Sequence, residues 1–129
     1  MNGRVNREVI NDTAKLVMHR LIARALARDR SLVDKARASL EEMAARYPDH
    51  DFVRDWEHLL SLPVGRIRVR LTSCDEEMAR LRLSSPFVLA DGIDFKNELL
   101  RRRIWKIAGR LTKQAFADQD TDQPVRAPA

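Results

Sequence analysis

A chain of 129 residues is long enough to bury a core as one domain, and its one cysteine, Cys74, excludes an internal disulfide. Charged residues make up 33% and aromatics 5%, with 24 Lys and Arg against 19 Asp and Glu for a net charge of +5. No run approaches the ~18 apolar residues of a membrane span, and the start, MNGRVNREVINDTAK, lacks the apolar stretch of a signal peptide; a cytoplasmic protein outside the membrane is expected. Arginine, alanine and leucine dominate, all strong helix formers. Asp118, Asp120 and Asp122 stand against Arg126 near the end, so the preceding body is more basic than the whole chain. A basic body favours polyanions or an acidic protein partner.

The first helix is expected from Asp12 to Arg28, with Arg4 as its earliest start, because Leu16, Val17, Leu21, Ala25 and Leu26 keep helical spacing. Arg20, Arg24 and Arg28 recur every fourth residue and form a basic stripe on it. Ser31 is the expected N-cap of a second helix, with Asp34 three residues on, and Tyr47-Pro48 ends it. A short third helix starts near Asp49 or Asp51, presents Phe52, Val53, Trp56, Leu59 and Leu60, and ends at Leu62-Pro63.

VGRIRVRLTS reads two ways. Ile67, Val69 and Leu71 alternate with arginines in a strand period, but Val64, Ile67 and Leu71 also fit a helix with Pro63 at its first position. A lone strand would leave backbone groups without partners, so helix is chosen. Ser73-Cys74-Asp75-Glu76 reads as a capping box opening a helix that closes around Leu83. A hydrophobic loop of about ten residues follows, from Ser84-Ser85-Pro86 through Phe87, Val88, Leu89, Ile93 and Phe95. Asp94 is the expected cap of a long last helix running to Ala117. Residues 118–129 are polar and proline-containing and are expected to form a flexible tail after a helical domain of residues 1–117. The fold class expected is therefore all-α, a single-domain bundle of about six helices with a long basic C-terminal helix. Its core should hold Leu21, Leu40, Trp56, Leu60, Ile67, Leu71, Met78, Leu81, Ile104, Ile107 and Leu111.

Catalytic and metal signatures are weak. Asp51, Asp55 and His58 could share one helix face, but a metal needs several converging ligands and a solvated face is the simpler reading. Cys74 has Asp75, Glu76 and Glu77 beside it, which oppose a reactive thiolate. Ser84 and Ser85 lack a Gly-x-Ser-x-Gly elbow, no glycine-rich phosphate loop occurs, and Arg46 and Arg54 each precede a histidine by only four residues. No enzyme, cofactor or metal is expected.

The strongest candidate is the basic flank of the last helix: Arg102, Arg103, Lys106, Arg110 and Lys113, widened by Arg101. Three- and four-residue steps put these on one face, where several cations can clamp carboxylates or phosphates. Phe87 and Phe95 are the expected partner anchors beside it, the competing reading being that the loop drapes over the chain's own core. A helix-turn-helix does not fit, since a long apolar loop separates the last two helices, and no aromatic platform for single-stranded RNA is present.

The elements Trp56, Leu59-Leu60, Leu62-Pro63, Leu71 and Leu81-Arg82-Leu83-Ser84-Ser85-Pro86-Phe87 resemble a group of small helical bacterial proteins. That group looks like operon-encoded, antitoxin-type partners of larger proteins. The resemblance implies a binding protein and carries no catalytic residues. The function expected is a non-enzymatic subunit that masks a partner protein, such as a toxin, through the basic flank and the hydrophobic loop. The alternative is a nucleic-acid-binding regulator that contacts phosphates with the same face; a homodimer is left open.

Overall fold

The computed structural model describes the backbone of residues 3–89 and 94–126 and the side chains of residues 7–88 and 94–114. Ile93 and the side chain of Leu89 lie outside the described residues. Among these residues the only regular elements are helices: α1 (Gly3–Arg28), α2 (Ser31–Arg46), α3 (Asp51–Leu60), α4 (Val64–Leu71), α5 (Glu76–Arg82), α6 (Pro86–Leu89) and α7 (Glu98–Arg126), with α6 a single turn. No described helix is long and apolar enough to cross a membrane.

α1 is the hub. α7 and α4 lie along it, α5 and α2 touch it, and α6 and α3 pack against α2. One apolar core runs between them, with Leu26, Ala36, Trp56, Ile67, Leu71 and Met78 fully enclosed. Trp56 sits at its centre: the indole N–H donates to the Leu81 carbonyl at 3.1 Å, and the ring meets Phe87 edge-on at 6.1 Å. Both ends of the indole are thereby satisfied, one by apolar packing and one by a hydrogen bond.

Proline sets the breaks as expected. α2 stops at Arg46, before Tyr47-Pro48, and Asp49 takes the one positive φ, 67°, among the described non-glycine residues. VGRIRVRL is helical and buries Ile67 and Leu71, while Val69 points out at 69% exposure. Pro63 caps that helix instead of opening it, with ψ at 147°.

The other caps differ from expectation: before α2 and α5 a carboxylate accepts where a neutral serine hydroxyl is expected to, and at α7 an amide three residues further on takes the place of an aspartate. Ser31 is the first helical residue, and the carboxylate of Asp29 accepts its N–H at 3.0 Å and its hydroxyl at 2.5 Å. Asp75 caps α5 by accepting the Met78 N–H at 2.8 Å, and Ser73 only donates its hydroxyl to that carboxylate. The Ser73 hydroxyl and then the Met78 N–H hold the Asp75 carboxyl below its ordinary pKa. Asn97, not Asp94, caps α7 by accepting the Leu100 N–H at 3.0 Å; Asp94 accepts from Lys96 one turn earlier. The expected ten-residue loop contains the turn α6, and α7 extends to Arg126, past Ala117.

Most of the expected core is buried, but Leu21 and Leu111 are half-buried and Ile107 is 37% exposed. α7 packs chiefly on α1. One neighbouring helix covers a narrower stripe than a bundle interior would, so Ile107 falls at its edge.

Candidate partner-binding face

α7 divides along its length. Ile104, Ala108 and Thr112 are buried at four-residue steps, with Leu100 and Leu111 half-buried beside them. At 3.6 residues per turn, Arg102, Arg103, Lys106, Arg110 and Lys113 then fall within an arc of about 100° facing away from α1, and all of these cations are exposed. From Arg102 to Lys113 the arc is about 16 Å long. Leu99 lies inside it at 76% exposure, and Trp105 and Ile107 border it at 44% and 37%. A shallow groove passes from Ile10 of α1 over Trp105, Lys106 and Gly109 to Lys113, and Gly109 has nothing within 4 Å of where a side chain would start.

Only one cation of this arc has an ion pair among the described residues. Arg102 meets Glu98 at 2.7 Å, with both side chains about three-quarters exposed (72% and 75%). Such a solvated pair contributes a few tenths of a kcal/mol at most, ~0.3–0.5. Arg103, Lys106, Arg110 and Lys113 have no carboxylate within 4 Å among the described residues, although Asp12, Glu8 and Glu98 are present nearby in the sequence of α1 and α7.

The two phenylalanines are elsewhere. Phe87 is 5% and Phe95 is 7% exposed, both in the core, so neither ring is offered to a partner and their expected role as anchors is corrected. For Phe87 the turn α6 causes this, since it folds the ring back onto Trp56. The apolar side chains that do accompany the cations are Leu99, Trp105 and Ile107.

The other sequence candidates do not converge. Asp51 and His58 are exposed, and among the described residues no group of three or more His, Cys, Asp or Glu could hold a metal ion. Cys74 is exposed, with no histidine bonded to it among the described residues.

A buried polar clasp escaped the sequence reading. His19 is fully enclosed; its Nδ1 lies 2.7 Å from the Lys15 carbonyl and its Nε2 2.7 Å from the Ser85 hydroxyl. A carbonyl only accepts, so Nδ1 carries the proton and Nε2 accepts from Ser85. Ser85, 5% exposed, also accepts the Phe87 N–H at 3.2 Å. A serine and a histidine this close could act as nucleophile and base in an open site. Here both are shut inside, and the imidazole is oriented by a carbonyl instead of a carboxylate. Burial, chiefly, lowers the His19 pKa to about 4, so the ring is neutral at pH 7. Next to it, Arg82 is 4% exposed and donates from Nη1 to the carbonyls of Leu71 at 3.2 Å and Ser73 at 2.7 Å, closing the end of α4 with a cation. The clasp ties the Ser-Ser-Pro turn to α1 across 66 residues. No spacing rule links positions so far apart.

No family model, curated protein or solved structure matches this chain.

Proposed function

We propose that the protein is a non-enzymatic binding subunit, acting in the cytoplasm in the manner of an antitoxin-type neutraliser, that covers an acidic surface of a partner protein with the outward arc of α7. The observation that carries this reading is the set Arg103, Lys106, Arg110 and Lys113, exposed on one arc and without carboxylate partners among the described residues. Cations needed for the fold would be expected in contact with internal acceptors, as Arg82 is.

The apolar side chains in and beside the arc favour a protein over nucleic acid as its occupant. Tryptophan and arginine supply most of the energy at protein interfaces when apolar residues surround them, and Trp105, Leu99 and Ile107 are placed to do so. A duplex backbone offers such side chains nothing apolar to cover. A second copy of this chain is a poor occupant, because it would bring like charges together.

The test is capture of the partner on the full chain, followed by titration of that purified partner. Gly109→Glu sets a carboxylate amid Lys106, Arg110 and Lys113 where a side chain meets nothing within 4 Å. We expect an acidic protein to be retained by the native chain and lost with Gly109→Glu. Retention of the same partner by both proteins overturns the reading. Retention of nucleic acid in its place, lost with the same substitution, favours the regulator that contacts phosphates through this face.

A further inference from the structure

The stripe Arg20, Arg24, Arg28 on α1 has no part in the α7 face. Arg20 and Arg24 instead line an open groove against α4, together with Arg68, Gly65, Val69 and Thr72. Arg68 reaches across the helix pair: its Nε donates to the Ala23 carbonyl at 2.8 Å, which fixes the guanidinium and leaves its two terminal nitrogens without a hydrogen-bond acceptor among the described residues. None of Arg20, Arg24, Arg28 and Arg68 has a carboxylate within 4 Å among the described residues. Arg82, buried near the end of α4, adds a further cation close enough to Arg20 for the two charges to be felt. Asp75 and Asp12 offset the Arg82 charge in part, but like charges four apart on a helix oppose folding, and Arg20, Arg24 and Arg28 have no ion pair among the described residues.

We propose that the groove between α1 and α4 is a second binding site, separate from the α7 arc, for the phosphodiester backbone of a nucleic acid. Guanidinium groups match phosphate oxygens with paired hydrogen bonds. Arg20, Arg24 and Arg28 repeat every turn, about 6 Å apart along the axis, which suits a polymer carrying phosphates in series better than one small anion. The groove is open and encloses nothing, so a single phosphate gains little there. Beside the arginines stand only Val69 and small residues, with no ring for a base to stack on. Binding is therefore through the backbone and indifferent to sequence.

Three substitutions that each shift the net charge by the same single unit make the test. Gly65→Glu puts a carboxylate into the groove, at a helical position where a side chain meets nothing within 4 Å and where an acidic group in the first turn suits the helix dipole. Arg24→Gln removes one groove cation. Lys106→Gln removes one from the α7 arc and serves as the control. Fluorescence anisotropy of short duplex DNA and single-stranded RNA probes at low salt is the readout, with inorganic phosphate as competitor. We expect both probes to bind, with log affinity falling against log salt at a slope of about −2 to −3, as three neutralised phosphates imply. Gly65→Glu should weaken binding about tenfold and Arg24→Gln several-fold, with Lys106→Gln nearly silent and millimolar phosphate a poor competitor. No binding at low salt overturns this site and leaves the α7 reading untouched. Binding lost with Lys106→Gln and kept with Gly65→Glu overturns this site and turns the α7 arc into the phosphate surface. Binding reduced alike by all three reports only net charge and also overturns it.

Discussion

Two groups of cations and their neighbours in this protein differ in where their hydrogen bonds close. Around Arg82, His19, Ser85 and Trp56 the polar atoms are turned inward: guanidinium to helix-end carbonyls, imidazole to a carbonyl and a hydroxyl, indole to Leu81. Along α7 the same residue types, arginine and tryptophan, are turned outward and close on little within the described molecule. Residue type alone therefore does not say whether an arginine serves the fold or a partner. Burial and the identity of the acceptor decide. The inner group should control stability and leave binding alone, and the outer group should do the reverse.

The largest effect should come from the inner group. Trp56→Ala removes the fully buried ring and one of the donors to the Leu81 carbonyl, which keeps those of Ser84, so we expect a loss of about 3–5 kcal/mol in urea unfolding. Trp105→Ala, with its ring 44% exposed, should cost less than about 1.5 kcal/mol. Equal losses would erase the contrast between the two indoles.

That contrast was only partly legible in the sequence. Tyr47-Pro48 and Leu62-Pro63 fixed breaks because proline restricts the residue before it, and the apolar spacing of Leu59, Leu60, Ile67 and Leu71 pointed to the core correctly. VGRIRVRL resolved to helix by the accounting of strand partners, not by its own period. Ile107 was misplaced because spacing gives the direction of a helix face but not its width, which depends on how many helices cover it. Phe87 and Phe95 read as anchors or as core until the fold buried both, Phe87 through the turn α6. The His19–Ser85 bond joins parts of the chain that only the tertiary fold brings together.

The next effect is acid sensitivity. The native His19 pKa is about 4, below the ordinary 6.5. Above pH 6.5 the ring is neutral in both folded and unfolded chains and the shift contributes nothing. Between 6.5 and about 4 the unfolded chain takes up a proton that the native ring refuses, so stability falls as pH falls, levelling below the native value. The full loss is roughly 3 kcal/mol, read from urea unfolding across that range, and His19→Gln should flatten this part of the profile. An unchanged slope in that variant would assign the acid loss to other groups.

Arg82→Met comes third. It leaves the Leu71 and Ser73 carbonyls without their donor, an expected loss of about 1–3 kcal/mol. Arg110→Met on the outer arc is expected to stay within about 0.5 kcal/mol of the native chain. Differential unfolding of the two variants reads the difference between an arginine held by internal acceptors and one facing water.

The most direct test combines both halves in one protein. Arg103→Glu, Lys106→Glu and Arg110→Glu together reverse three exposed charges that have no carboxylate partner among the described residues. Its urea midpoint and its affinity for the captured acidic partner are measured side by side. The account predicts an unfolding transition within about 1 kcal/mol of the native chain, with partner affinity reduced at least a hundredfold, roughly 3 kcal/mol. A variant that still binds the partner with native affinity, or one that fails to fold, contradicts it.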